Sequence, residues 1–241
     1  MKVKVIIPAR YKSTRFPGKS LVDINGKPMI IWVVELSCKA VGKENVFVAT
    51  DDDRIATVIK DYGYNYIMTT DCSSGTDRVA QASFQIDGDI ILNVQGDEPL
   101  LNPSDIQKVI DEKIKYPNSV INCMSKIDSN EAINLNTIKV VTNFDNDLIY
   151  MSRSPVPSTK LGVSNNTYKQ VCIYAFTKEE LKRFYDLGIT SLESDEEIDI
   201  LRFLELGMKV KMIETYGKNQ SVDVPEDVNK VLEILNETNS T

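Results

Sequence analysis

Val3-Lys4-Val5-Ile6-Ile7-Pro8-Ala9-Arg10-Tyr11-Lys12-Ser13-Thr14-Arg15-Phe16-Pro17-Gly18-Lys19 decides how the rest of the chain is read. Val3, Val5, Ile6 and Ile7 form a short apolar, β-branched run, the pattern of a buried strand. Pro8 ends it. Arg10, Lys12, Arg15 and Lys19 then follow on a loop built from Ser, Thr, Pro and Gly, four cations within ten positions. In open α/β sheets ligands bind outside the carboxyl ends of the strands. A cationic loop at that edge suits a polyanion, and we expect a triphosphate.

Working outward, strand-like runs alternate with helical patterns. An amphipathic stretch at 28–40 precedes an apolar run at 46–49; a helical segment at 54–62 precedes an extended run at 64–68. A helix near 76–85 leads to the nearly unbroken apolar run 89–94, and a helix at 103–115 leads to 119–124. Strands separated by helices of this length imply βαβ units and a mostly parallel sheet. The middle changes character. Runs at 138–143 and 147–151 flank Asn143-Phe144-Asp145-Asn146-Asp147, a hairpin signal, and a further strand is expected at 169–176. We therefore expect one α/β domain over residues 1–241, with 138–177 as a small antiparallel insertion. The end returns to α/β, with helices at 178–185 and 193–206, a strand at 209–213, a helix at 225–235 and a frayed tail at 236–241.

Composition excludes several classes. With 241 residues, 42% hydrophobic and 26% charged, the chain can bury a full core. A formal charge of -7 argues against general nucleic-acid or anionic-membrane binding, so a basic loop on this acidic body points to a small anion. No run approaches a membrane span, and the N-terminus reads as a strand rather than a signal peptide, so we expect a cytoplasmic protein. Cys38, Cys72, Cys123 and Cys172 are far apart, and the chain has no histidine. Zinc sites and every imidazole acid–base step are thereby disfavoured. Carboxylate, lysine, arginine and metal chemistry remain.

Ile90-Ile91-Leu92-Asn93-Val94-Gln95-Gly96-Asp97-Glu98-Pro99 supplies the carboxylates. A buried strand delivers Asp97 and Glu98 to its carboxyl end, and adjacent side chains point opposite ways, so one faces the ligand. Asp97, shorter and next to the glycine, is the better Mg2+ ligand; by itself the segment is equally a solvated turn. In Ser221-Val222-Asp223-Val224-Pro225-Glu226-Asp227, Pro225, Glu226 and Asp227 read as the start of a helix. Asp223 sits a little early for a cap and is left as a second metal ligand. Ser73-Ser74-Gly75-Thr76-Asp77-Arg78 opens a helix; it reads either as a nucleoside-binding turn or, more plainly, as an N-cap.

These residues carry a resemblance. Residues 7–19 with 23–29, then 49–52, 74–78, 93–99, 140–141, 152–157 and 222–227, are similar in the same order to the 3-deoxy-manno-octulosonate cytidylyltransferases, the CMP-Kdo synthetases. The resemblance implies a Rossmann-like α/β nucleotidyltransferase whose antiparallel insertion serves dimerisation, and a homodimer that needs Mg2+. It implies transfer from CTP to a 2-keto-3-deoxy sugar acid, giving a CMP-sugar and pyrophosphate for lipopolysaccharide biosynthesis. Arg10, Lys19, Asp97 and Asp223 are the implied catalytic group, with Asp97 and Asp223 holding metal. Ala9, Arg10, Ser13, Arg15, Lys19, Ser74, Gly75, Arg78 and Gln95 are implied around CTP. Arg153 is implied to pair with the sugar carboxylate, and Gln170, Tyr174, Glu196, Asp199 and Ile200 to lie around the sugar.

The departures from the family pattern fall on that sugar side. Gln170 stands where the family usually has histidine, Asp199 where it has glutamate and Ile200 where it has glutamine. Glu193, Glu196 and Asp199 are also explained as the polar face of one amphipathic helix. The acceptor is expected to be Kdo, with 8-amino-Kdo or a nine-carbon ulosonate as the alternative. A catalytically silent nucleotide-binding protein is the reading from another class. A hydride-transfer enzyme is disfavoured because no Gly-x-Gly-x-x-Gly follows the first strand.

Overall fold

The computed structural model describes residues 1–12, 16–160, 162–216 and 220–239. The chain divides into two compact units, Met1–Gln107 with Gly217–Thr241, and Lys108–Tyr216. The segment 138–177, expected as an insertion in one domain, lies within a second unit that already begins at Lys108.

The first unit contains four parallel strands, Ile90–Val94, Val3–Pro8, Val46–Thr50 and Asn65–Met68, side by side in that order. The first strand is flanked by the second and the fourth in chain order. Strand order therefore reverses between Val3–Pro8 and Ile90–Val94, and such a switch point opens a crevice at the carboxyl ends. Val5, Ile6, Ile7, Ile91 and Leu92 are all buried, as their unbroken apolar runs require of strands covered on both faces. Helix Met29–Val41 buries Met29, Ile30, Val33 and Val34, a period near four, and ends where Gly42 takes φ 85°.

The second unit is mixed. Val210–Glu214 runs parallel to Val120–Ile127, which is antiparallel to Thr167–Phe176. Thr167–Phe176 pairs antiparallel with Lys139–Thr142, and that strand with Leu148–Ser152, so the expected hairpin is present. The register between Val120–Ile127 and Thr167–Phe176 shifts between Val171 and Tyr174. Asn122 fills the irregularity: its amide donates to the carbonyls of Val171 and Ile173 at 3.0 and 2.9 Å.

Two expectations about helices change. The single helix at 193–206 is two short ones, Ser191–Glu196 and Leu201–Glu205, broken where Glu197 adopts φ 54°. The last helix runs Pro225–Asn239, four residues beyond the expected end. Among the described residues no helix is long and apolar enough to cross a membrane.

Glu193, on the first of the two short helices, has a structural task. Arg202 is 0% exposed, and its Nε and Nη2 donate to the two Glu193 carboxylate oxygens at 2.5 Å each. Its guanidinium also lies 3.6 Å from the Phe184 ring centre. Removing one partner strands a buried charge. Glu193→Ala should lower unfolding stability by about 3–5 kcal/mol, read as a shifted urea midpoint.

Candidate active site

The crevice at the switch point is built from three segments of the first unit. On the loop after Val3–Pro8, Gly18 takes φ 72°, and a Cβ there would meet the Tyr11 ring at 3.2 Å. The Gly18 amide donates to the Tyr11 carbonyl, closing the loop so that Lys19 opens a short 3-10 turn. After Ile90–Val94, Gly96 lets the chain pass close to the first strand: a Cβ would lie 2.9 Å from Ile30 Cδ1 and 3.1 Å from the Pro8 carbonyl oxygen. The third segment precedes the last helix. Val222 is buried in a cluster with Ile24, Met29 and Val231, against which Phe16 of the cationic loop also packs. The Val222 amide donates to the Asp97 carbonyl at 3.0 Å.

These anchors bring three charges together. Lys19 Nζ donates to Asp97 Oδ2 at 2.7 Å and lies 3.7 Å from Asp223 Oδ1. Asp223 is steadied by Asp227, whose Oδ2 accepts the amides of Asp223 and Val224 at 3.0 and 3.1 Å. Burial works against the Asp227 carboxylate, but the Lys230 ammonium and the two amides outweigh it and hold its pKa below the ordinary value. Sequence alone relates Asp227 to the helix dipole; its place two residues after Pro225 also suits a cap, and in that place it aims Asp223. Ala9 is buried beside this edge and Arg10 is exposed. Ser13 and Arg15 lie outside the described residues.

The Ser74 turn is a cap. Ser74 Oγ accepts the Asp77 amide at 3.0 Å. Gly75 still sits at the site: a Cβ there would be 3.1 Å from Gln95 Nε2. Gln95 donates to Asn93 Oδ1, and Asn93 to Thr76 Oγ1, both at 3.3 Å, a chain linking the fourth strand to this helix. Arg78 corrects the expectation that it reaches a ligand. It is 3% exposed, paired with Asp51 at 3.1 Å and bonded to Thr69 Oγ1. It ties the helix start to the ends of two strands.

The residues expected around the sugar belong to the second unit. Gln170 Nε2 donates to Asn122 Oδ1 at 3.0 Å, within the irregularity already described. Tyr174 is buried and stacks against Phe176. Ile200 is 1% exposed, so it packs in the core and presents no surface to a ligand, contrary to expectation. Asp199 is half-buried, and its carbonyl accepts the Arg202 amide. Glu196 accepts Ser152 Oγ at 2.6 Å, the Arg153 amide at 2.8 Å and Tyr150 OH at 3.3 Å. Burial raises its pKa, but these bonds and the Arg153 charge prevail and leave it lowered.

Among the described residues no group of three or more His, Cys, Asp or Glu side chains converges as a metal site. Asp97 and Asp223 are two hard oxygen donors already turned to one cation, the Lys19 ammonium. That set fits Mg2+, which takes one or two protein carboxylates and completes its shell with water and phosphate.

The cytidylyltransferase family model matches residues 4–231. The chain is 39% identical over 249 residues to the 3-deoxy-manno-octulosonate cytidylyltransferase of Geobacter metallireducens, covering 98% of each. It is 38% identical to the 8-amino-3,8-dideoxy-manno-octulosonate cytidylyltransferase of Shewanella frigidimarina, covering 95% of this chain and 97% of that one. A solved CMP:2-keto-3-deoxy-manno-octonic acid synthetase complexed with CTP superposes with TM-score 0.92 at 35% identity, over 99% of this chain and 100% of that one. The fold is that of a nucleotidyltransferase. The chain belongs to the cytidylyltransferase family, among the CMP-Kdo synthetases.

Gly96 gives this geometry its test. In Gly96→Ala the new methyl group meets the Pro8 carbonyl, which is backbone and cannot swing away. The variant should lose about 1–3 kcal/mol of stability to overpacking. Its kcat should fall as well, because the turn that carries Asp97 must give by a few tenths of an ångström to clear the Pro8 carbonyl, with denaturation and steady-state rates as the two measurements.

Proposed function

We propose that the protein transfers the cytidylyl group of CTP to the anomeric hydroxyl of 3-deoxy-manno-octulosonate, releasing pyrophosphate. The observation that carries this reading is the Lys19 ammonium set between Asp97 and Asp223 at the switch point of a parallel sheet. The similarity to relatives with this printed activity over almost their whole length supports it.

Arg10, Ser13, Arg15 and Lys19 hold the triphosphate, and their charges offset the charge that builds on pyrophosphate as the Pα–O bond breaks. Ala9, Gly75 and Gln95 lie around the nucleoside, with Ser74 and Arg78 fixing the turn that carries Gly75. Asp97 and Asp223 would hold Mg2+. Bound there, the ion would neutralise phosphate oxygens and lower the pKa of the attacking hydroxyl. Arg153 takes the acceptor's carboxylate, a bidentate task suited to a guanidinium. Positioning and charge neutralisation account for most of the acceleration, so a chain without histidine suffices. The enzyme works as a homodimer in the cytoplasm and supplies lipopolysaccharide biosynthesis.

A second acceptor, 8-amino-Kdo, is favoured by the similarity to a relative of that printed specificity at nearly the same identity. Pyrophosphate release measured with each nucleoside triphosphate, crossed with Kdo, 8-amino-Kdo and a nine-carbon ulosonate, tests both. CTP with Kdo should give the highest kcat/KM; activity restricted to UTP or GTP would overturn the donor. Asp97→Asn should retain its circular dichroism and lose Mg2+-dependent turnover by about a thousandfold; turnover at the parent rate would remove Asp97 from the site.

A further inference from the structure

Arg153 is held from two sides. Lys139, 0% exposed, opens the Lys139–Thr142 strand, and its ammonium donates to the carbonyls of Asn134 at 2.9 Å, Thr137 at 2.7 Å and Arg153. From the other side the Arg153 amide donates to Glu196 Oε2, while Ser152 Oγ and Tyr150 OH donate to Glu196 Oε1. The guanidinium then reaches past the end of the Ser191–Glu196 helix. Its Nε donates to the Glu196 carbonyl at 2.7 Å, Nη2 to that of Glu197 at 3.2 Å and Nη1 to that of Leu135 at 3.3 Å.

Two consequences follow. These bonds use three of the five N–H groups of the side chain, and all three acceptors are neutral carbonyls. Among the described residues no carboxylate bonds the guanidinium: the Arg153 charge lowers the Glu196 pKa from nearby, but the hydrogen bonds of the side chain itself go to carbonyls, so it is oriented without a direct carboxylate partner, the condition for receiving an anion. Glu196 is the opposite case: both its oxygens accept bonds from the end of the Leu148–Ser152 strand. A carboxylate placed directly on a sugar acid beside Arg153 would also repel the acid's own charge.

We propose that Glu196 is a positioning residue, not a sugar ligand: its carboxylate and main-chain carbonyl, with Lys139 opposite, fix Arg153 in the attitude that takes the acceptor's carboxylate. This rests on the proposed assignment of Arg153 to that carboxylate. An arginine side chain is rich in rotamer entropy, and one already fixed loses little of it on binding.

A double-mutant cycle on the full-length protein tests the proposal, with KM for Kdo, KM for CTP and kcat measured for Arg153→Ala, Glu196→Gln and both together. Glu196→Gln keeps the size of the side chain but cannot accept the Arg153 amide and the Ser152 hydroxyl in the same way. It should raise KM for Kdo about tenfold and leave KM for CTP within about twofold of the parent. The double variant should be no worse than Arg153→Ala, because Glu196 acts through Arg153. Should Glu196→Gln fail to fold, Ser152→Ala removes one of the same bonds without altering charge, and a smaller rise in the same KM is expected. Additive effects, or an unchanged KM for Kdo in both Glu196→Gln and Ser152→Ala while Arg153→Ala raises it, would overturn the positioning role alone. An unchanged KM in Arg153→Ala would overturn the assignment of Arg153, and the positioning role with it.

Discussion

Two carboxylates aimed at one point repel each other unless a cation stands between them. In this protein Lys19 supplies the cation, and the arrangement of the first unit follows from that constraint. The three residues come from distant parts of the chain: Lys19 from the first loop, Asp97 from the end of the fourth strand, Asp223 from the approach to the last helix. Opposite charges about 4 Å apart attract by about 4 kcal/mol at the effective dielectric of a protein edge, before desolvation is counted. That attraction orients the groups; packing has to bring them close. Val222 and Phe16, sharing a core with Ile24 and Met29, bring the last helix and the cationic loop to the same place.

The supporting geometry is local and unforgiving. Gly96 is required because the Pro8 carbonyl occupies the space a side chain would take. Asp227 is required because two amides at the start of a helix need an acceptor, and by accepting them it also aims Asp223. Arg78 joins a helix start to two strand ends and, being buried, holds the wall of that edge. Charged residues in a site therefore divide into those facing the crevice and those that hold its wall. Burial separates the two: Lys19 keeps some solvent exposure, and Arg78 keeps almost none.

The same division explains what was legible in the sequence. Apolar β-branched runs, helical periodicity and the Gly and Pro positions gave the βαβ order, with strand limits displaced by up to three residues. The meeting of Lys19 with Asp97 was legible because a cationic loop and a carboxylate at neighbouring strand ends call for each other, although Gly96-Asp97 alone reads equally as a solvated turn. The 193–206 region was not legible. Its spacing suits one amphipathic helix, but Arg153, distant in sequence, takes the carbonyls of Glu196 and Glu197, and the helix stops with Glu197 in a left-handed conformation. Ile200 packs in the core, as its apolar side chain favours; the resemblance, not the residue type, put it beside the sugar. Gln170 sits beside an interruption of strand alternation between Val171 and Tyr174, and Asn122, a polar residue in an otherwise apolar run, is the sequence sign of that interruption.

The residues proposed for the donor and those proposed for the acceptor fall in different compact units. The proposed donor site is made of charge at the end of parallel strands, where Gly96 lets the chain pass close to the Pro8 carbonyl. The proposed acceptor side is made of side chains bonded mostly to backbone: Lys139 to three carbonyls, Arg153 to three, and Glu196 to one amide and, beyond the backbone, to two side-chain hydroxyls. Such a network sets the attitude of one guanidinium while leaving its surroundings replaceable. A carboxylate common to all ulosonic acids needs only that fixed guanidinium. Discrimination among them must come from groups that meet the rest of the sugar, because a site built for a hydroxyl or amine rejects the analogue lacking it far more strongly than an apolar wall does. Kdo and its 8-amino form differ at one such group, so a few side chains suffice to separate enzymes that are otherwise alike in sequence.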